Sequence, residues 1–285
     1  MKYRNLFWIF VAFLLVFSAC GTSHDEKPDE QTKPKYIFYF IGDGMGLQHV
    51  RLTEAFLKAT ESDQPGFKAL AFDTLPYFGI SDTYANNRLI TGSAAAGTAL
   101  ATGHKTNIDA IAVSPDAETD YPSIAHRFKQ EGKKVGVISS VSIDHATPAV
   151  FYSHQAKRSN YFEIGKQLAK SDYDFFGGGG FRHPENDGVN LYDLAAKHGY
   201  QVLRSENGMD KVSKDSNVFL VNPVLGAEGE LPYAIDRKFE KGYSLAQITR
   251  KAIDNLFGEQ GFFIMVEGGK IDWASHANDA ATVVR

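Results

Sequence analysis

Three metal-ligating side chains stand close together in the segment "EGGKIDWASHAND": Glu267, Asp272 and His276. Asp272 and His276 are four residues apart, so on a helix they share one face. A carboxylate and an imidazole paired in this way make a zinc half-site, and Glu267 stays free to serve a harder neighbouring ion. A solvated acidic turn would explain any one of the three taken singly. Asp43 lies between two glycines in "IGDGMG". A carboxylate there can hold a hard or borderline cation while the glycines let backbone and ion approach, although Asp and Gly also make ordinary turns. Ser93 opens "SAAAGTALA", a run of good helix formers. Unpaired N–H groups and the positive end of the helix dipole favour an anion at that place, whether a phosphate or a serine alkoxide. Local sequence alone favours a helix cap for Ser93 and leaves the nucleophile open.

Residues so placed need a scaffold that delivers them to one edge. Three short apolar runs read as buried strands: "YIFYFIG" at 36–42, "KVGVISS" at 134–140 and "GFFIMVEGG" at 261–269. Helical patterns at 121–130 and 245–257 lie between them. This alternation predicts an α/β fold, a mostly parallel central sheet sandwiched by helices, with ligands gathering at the carboxyl ends of the strands. Asp43 and Glu267 both fall at such ends. "YDFFGGGGF" lacks the lysine and Ser/Thr of a phosphate loop and reads as a strand end that needs close backbone approach. "GSAAAGTA" likewise has no lysine after its second glycine, which argues against nucleotide binding by that route.

The chain has 285 residues, 43% hydrophobic and 22% charged, which suits a globular catalytic or binding domain and excludes extended disorder. A formal net charge of -4 with no basic run gives no reason to propose a nucleic-acid partner. At the N-terminus, Lys2 and Arg4 precede an apolar run from Leu6 to Phe17, followed by "FSAC". That order reads as an export signal over residues 1–20. Cys20 is the only cysteine, so it has no internal disulfide partner, and its setting resembles a bacterial lipobox. The resemblance implies cleavage before Cys20, lipidation of Cys20 and a membrane-anchored protein of the cell envelope, in the periplasm or at the outer membrane. Residues 21–34, polar and proline-containing, read as a flexible tether, which leaves 35–285 as the folded catalytic domain.

Taken in order, "IGDGMG", "TGSAAAGTALATGHKT", "HATPAVFYSHQAKR" and "EGGKIDWASHAND" resemble the successive active-site segments of the alkaline phosphatases, from about residue 35 to the end. The resemblance implies hydrolysis of small phosphate monoesters through a phosphoserine on Ser93, with two zinc ions and one magnesium ion, in proteins that are commonly dimers. It makes Asp43 the bridge between a zinc and the magnesium, with Ser93 on that zinc and with Thr147 and Glu267 completing the protein ligands of the magnesium. Asp272 and His276 would hold the other zinc, and Arg158 would grip two phosphoryl oxygens with its planar fork. His145 and Trp273 fall at positions that vary in the family, close to the magnesium site, and are expected to tune that metal. Spacing alone does not nominate Arg158, because a straight helix would put it about 16 Å from Thr147.

Two departures from the family pattern stand out. Gly92 precedes Ser93 where many members have an aspartate that steadies the arginine, so Arg158 is expected to be more mobile and phosphate to bind more weakly. The family's remaining zinc ligands, an Asp-His pair and a further histidine, lie downstream of this segment, and here only nine residues, 277–285, follow His276. The expectation is an N-terminal portion of a longer protein, with an incomplete metal site and unpaired strands, unstable and poorly active by itself. His49, His104, His126, His154, His183 and His198 are scattered and replace none of the missing ligands by motif. A phosphodiesterase of the same superfamily and a non-catalytic envelope lipoprotein that binds metal or phosphate remain as alternatives. A sulfatase is disfavoured, since no Cys/Ser-x-Pro-x-Arg segment is present.

Overall fold

Strand β1 (Tyr36–Gly42) pairs in parallel with β8 (Phe262–Gly268), which in turn pairs in parallel with β2 (Lys134–Ser139). The sheet continues through β3 (Phe175–Gly178), β7 (Val218–Val221) and β6 (Gln201–Leu203), giving the order β1-β8-β2-β3-β7-β6 with every pair parallel. A two-stranded antiparallel ribbon of β4 (Glu185–Asn186) and β5 (Val189–Asn190) stands apart from it. The computed structural model describes residues 33–236 and 241–285. The expected signal segment, Cys20 and nearly all of the tether lie outside the described residues. Among the described residues, no helix is long and apolar enough to cross a membrane.

Period-two alternation along the inner strands builds a core on each face of the sheet. On β8, Phe263 and Met265 enter one core, while Phe262, Ile264 and Val266 enter the other. The first core is closed by Ala94 and Ala101 of α2 (Ser93–Thr102), Ala125 of α3 (Ile124–Gln130) and Ile164 and Leu168 of α5 (Tyr161–Lys170). The second is closed by Ile248, Ala252 and Leu256 of α7 (Leu245–Leu256). The sheet is therefore sandwiched by helices, as the alternation of runs in the sequence implies.

Helix α3 begins three residues later than its periodicity suggests, at Ile124 rather than Tyr121. Ser123 sets that start by accepting a hydrogen bond from the His126 amide, with Pro122 immediately before it. The glycine run that ends β3 does what a close-packed strand end requires. Gly178 has φ +114°, and a Cβ there would stand 1.9 Å from the Ser139 carbonyl oxygen. Only glycine lets this crossing lie against the loop that leaves β2.

Candidate active site

The carboxyl ends of β1, β2 and β8 face one cleft of about 680 Å³, lined by Asp43, Ser93, His145, Thr147, Arg158, Asp272 and His276 among others. β1 presents Asp43 immediately after Gly42. Gly44 follows at φ +67°, and a Cβ on it would stand 2.8 Å from Asp272 Oδ1 and 2.9 Å from Asp272 Cα. The glycine thus admits the direct approach of this loop to α8 (Lys270–His276). Helix α1 (Leu47–Glu61) starts just beyond the loop.

Ser93 is the first residue of α2, with Gly92 as its cap, and no side chain caps this helix. Its hydroxyl instead donates to Asp43 Oδ2 at 2.8 Å. The cap favoured by local sequence is therefore corrected: Ser93 Oγ is turned across the cleft, where the end of β1 supplies the acceptor. α2 lies close to α4 (Ala146–Ala149) at Gly97, where a Cβ would stand 3.2 Å from Val150 Cγ2 and 3.7 Å from Thr147 Cα.

Thr147 and Glu267 are buried, and neither Thr147 Oγ1 nor Glu267 Oε1 has a hydrogen-bond partner of normal geometry. Glu267 Oε2 accepts from Ser139 Oγ. Burial and the nearby charge of Asp43 push the Glu267 carboxyl up to about 8, against the opposing pull of Ser139, Thr147 and Arg158. Asp43 is also raised, by burial first and by Asp272, while Ser93, Arg158 and the Gly44 amide oppose the shift. Buried oxygen acceptors without donors, beside carboxylates held above their ordinary range, are what a hard cation would satisfy. Asp43, Thr147 and Glu267 together fit magnesium. Asp272 Oδ1 and His276 Nε2 stand 3.5 Å apart on one face of α8, with the His276 side chain 82% exposed, and this mixed oxygen and nitrogen pair suits zinc. Among the described residues, no group of three or more His, Cys, Asp or Glu side chains is gathered to hold one ion. The sets just named fit that count, since each contains two residues of those types.

Arg158 reaches the cleft because the chain does not run straight from Thr147. α4 ends at Ala149, a bridge pairs Gln155 with Ile111, and the Arg158 amide donates to the Asp109 carbonyl. The guanidinium Nη2 then donates to His145 Nε2 at 2.9 Å. Burial, followed by the charges of Arg158 and Arg182, drives the His145 ring down to about 3, so it is a neutral acceptor. His145 also meets the Trp273 ring edge-on at 5.9 Å. The arginine expected to be loose for want of an aspartate at Gly92 has a partner in this histidine.

Sequence reasoning passed over several residues that shape the site. Ser139 was visible only as a small polar end to an apolar run. Asp144, fully buried, accepts from the Arg182 amide with both carboxyl oxygens, at 3.1 and 3.0 Å. His49, set aside with the scattered histidines, hydrogen-bonds Ser275 beside His276. Its signal was its position three residues after Gly46, where a side chain can reach back to the helix start.

A parallel sheet that delivers a serine, two carboxylates, two histidines and an arginine to one cleft, with Glu267 buried beneath it, defines a scaffold of the α/β class with a polar site at its carboxyl edge. Residues 34–285 match the alkaline phosphatase family profile, and the chain belongs to that family. It is 34% identical to alkaline phosphatase 4 of Bacillus subtilis over 262 residues, covering 89% of this chain and 55% of the relative. Alkaline phosphatase 3 of the same organism is 34% identical over 268 residues, covering 91% and 56%. The chain thus spans about half the length of the curated relatives it matches. Among solved structures, the cold-active alkaline phosphatase of Shewanella sp. superposes with a TM-score of 0.77 at 32% identity, covering 87% of this chain and 60% of that one. The enzyme of the Antarctic bacterium TAB5 gives 0.73 at 28% identity, covering 88% and 70%, and a variant of it was solved with magnesium bound.

Proposed function

We propose that this protein hydrolyses phosphate monoesters by way of a phosphoserine on Ser93, releasing inorganic phosphate. The observation that carries the reading is the Ser93 hydroxyl, released from any capping role and hydrogen-bonded to Asp43 in a cleft that also holds Arg158. Asp43, Thr147 and Glu267 would hold magnesium, Asp43 and Ser93 one zinc, and Asp272 and His276 a second zinc. Bound there, these ions would supply neutralisation of the phosphoryl oxygens and acidification of the serine hydroxyl and the attacking water.

The protein's own groups orient the reaction. Asp43 Oδ2 accepts the hydrogen bond of the Ser93 hydroxyl, which turns the Oγ lone pairs towards phosphorus. The amino end of α2 favours the developing negative charge. Arg158, held by neutral His145, grips two non-bridging oxygens during both halves of the reaction. In the first half the Oγ–P bond forms, the bond to the leaving oxygen breaks, and the proton given up by Oγ ends on that oxygen. In the second, water attacks the phosphoserine, the Oγ–P bond breaks, and a proton from that water returns to Oγ to regenerate the hydroxyl. Export through residues 1–20, lipidation at Cys20 and a place in the cell envelope as an anchored protein, in a dimer, complete the proposal.

The test is hydrolysis of p-nitrophenyl phosphate by the full-length protein with zinc and magnesium. Ser93→Ala is expected to lower kcat by at least about 1,000-fold at saturating zinc and magnesium. Turnover within tenfold of wild type would remove Ser93 from the nucleophile role.

A further inference from the structure

His49 joins the two halves of the cleft through a chain of directed hydrogen bonds. The Gly46 amide donates to His49 Nδ1 at 3.0 Å, and an amide N–H can only donate, so Nδ1 carries no proton. The ring proton of the neutral imidazole therefore lies on Nε2, which stands 2.9 Å from Ser275 Oγ. Ser275 spends its own hydroxyl proton on the Ile271 carbonyl at 2.7 Å, so its oxygen is left to accept from His49. Each group in this chain has one role, assigned by the network as a whole.

The ends of the chain are what give it significance. Gly46 closes the loop that starts at Asp43, and Ser275 lies on α8 between Asp272 and His276. The loop and α8 meet independently at Gly44, which rests against Asp272. Contact at Gly44 limits only how closely the two can approach. The His49–Ser275 bond, by contrast, resists both their separation and rotation of α8 about its axis.

We infer that His49 is a positioning residue that, through Ser275, fixes Asp272 and His276 relative to Asp43. The inference rests on the proposed reading of Asp272 and His276 as zinc ligands. It predicts that breaking the His49–Ser275 bond alters metal affinity without altering the fold. Ser275→Ala is the cleanest break, because alanine is a strong helix former and the His49 bond to Gly46 survives. Ser275→Thr restores a hydroxyl that can make the same backward bond to the carbonyl four residues earlier.

The experiment measures zinc affinity of the full-length protein by competition with a chromogenic chelator, together with melting temperature and with kcat and KM for p-nitrophenyl phosphate. The expected result is a zinc affinity about tenfold weaker in Ser275→Ala, with kcat falling more than KM rises and with the melting temperature held. Ser275→Thr should recover most of the loss, and His49→Ala combined with Ser275→Ala should lose no more zinc affinity than the worse single variant. The inference is overturned if Ser275→Ala binds zinc within twofold of wild type while Asp272→Asn does not. It is equally overturned if the losses track the melting temperature and are not rescued by threonine. Should Asp272→Asn itself leave zinc affinity untouched, the ligand assignment fails, and the positioning role fails with it for that separate reason.

Discussion

Asp144 offers a sharp test of the electrostatics behind the cleft, because its carboxyl is buried, is bound to the Arg182 amide and lies outside the proposed ligand sets. Burial raises it from 3.8 to about 7, with Ser142, two backbone amides and the Arg182 charge opposing. The native state therefore keeps a proton that the unfolded chain gives up above pH ~4. Stability from this group is greatest below the unfolded value, declines as pH rises towards 7 and is level beyond. Between pH 5 and 7 the two states differ by one proton over two units, which at ~1.36 kcal/mol per unit is about 3 kcal/mol. Asp144→Asn removes the titration while keeping one oxygen for the Arg182 amide, and any cost of its buried NH2 group is the same at every pH. Glu267, raised to about 8, titrates in both proteins and cancels in the comparison. Urea unfolding at pH 5, 6, 7 and 8 gives the two stability curves. Wild type should lose about 3 kcal/mol more than the variant across that range, whereas parallel curves would refute the buried-carboxyl argument.

Gly92 and Gly44 give further outcomes. A side chain at Gly92 would meet nothing nearer than Ile108 Cγ1 at 3.8 Å, so Gly92→Asp should fold normally. A carboxylate at this position, which lines the cleft, should strengthen inhibition by inorganic phosphate through Arg158 by up to about fivefold, in keeping with a part-exposed ion pair of ~1 kcal/mol. Inhibition constants equal to wild type would dismiss that coupling. Gly44→Ala sets a methyl group against Asp272 in a left-handed backbone conformation and should cost about 1–3 kcal/mol of stability with a loss of zinc affinity. Wild-type zinc binding in that variant would show that the loop and α8 adjust freely.

β2 and β8 were legible as strands because burial on both faces leaves nearly continuous hydrophobic sequence, and β1 reads the same way although Phe38 and Phe40 stand exposed on this edge strand. β1 matches its expected bounds, and β2 and β8 differ only at their ends. β6, at three residues, carries too little pattern to distinguish from a loop, and β7 is a bare "VFLV". The cleft was half legible. Asp43 and Glu267 announce themselves by leaving strands, and Asp272 and His276 by helical spacing. Arg158 and His145 could not be paired from sequence, because their contact depends on a chain reversal closed by Ile111 and Asp109. Ser93 was misread locally for the same reason: Asp43, the acceptor of its hydroxyl, lies 50 residues away along the chain.

The order β1-β8-β2 also governs when the cleft can come into being. Among the described strands β1 pairs with β8 alone, so while the chain emerges from its amino end β1 has no neighbour until Phe262 and its successors arrive. β2, β3 and β7 are complete long before that and leave a slot between themselves and β1. The bond between His49 and Ser275 spans 226 residues and can close only after the slot is filled. Such distant pairings are slow because the whole intervening chain must be ordered first. On the proposed ligand assignment, zinc and magnesium cannot seed this fold; their capture would instead mark a chain whose sheet has already been completed.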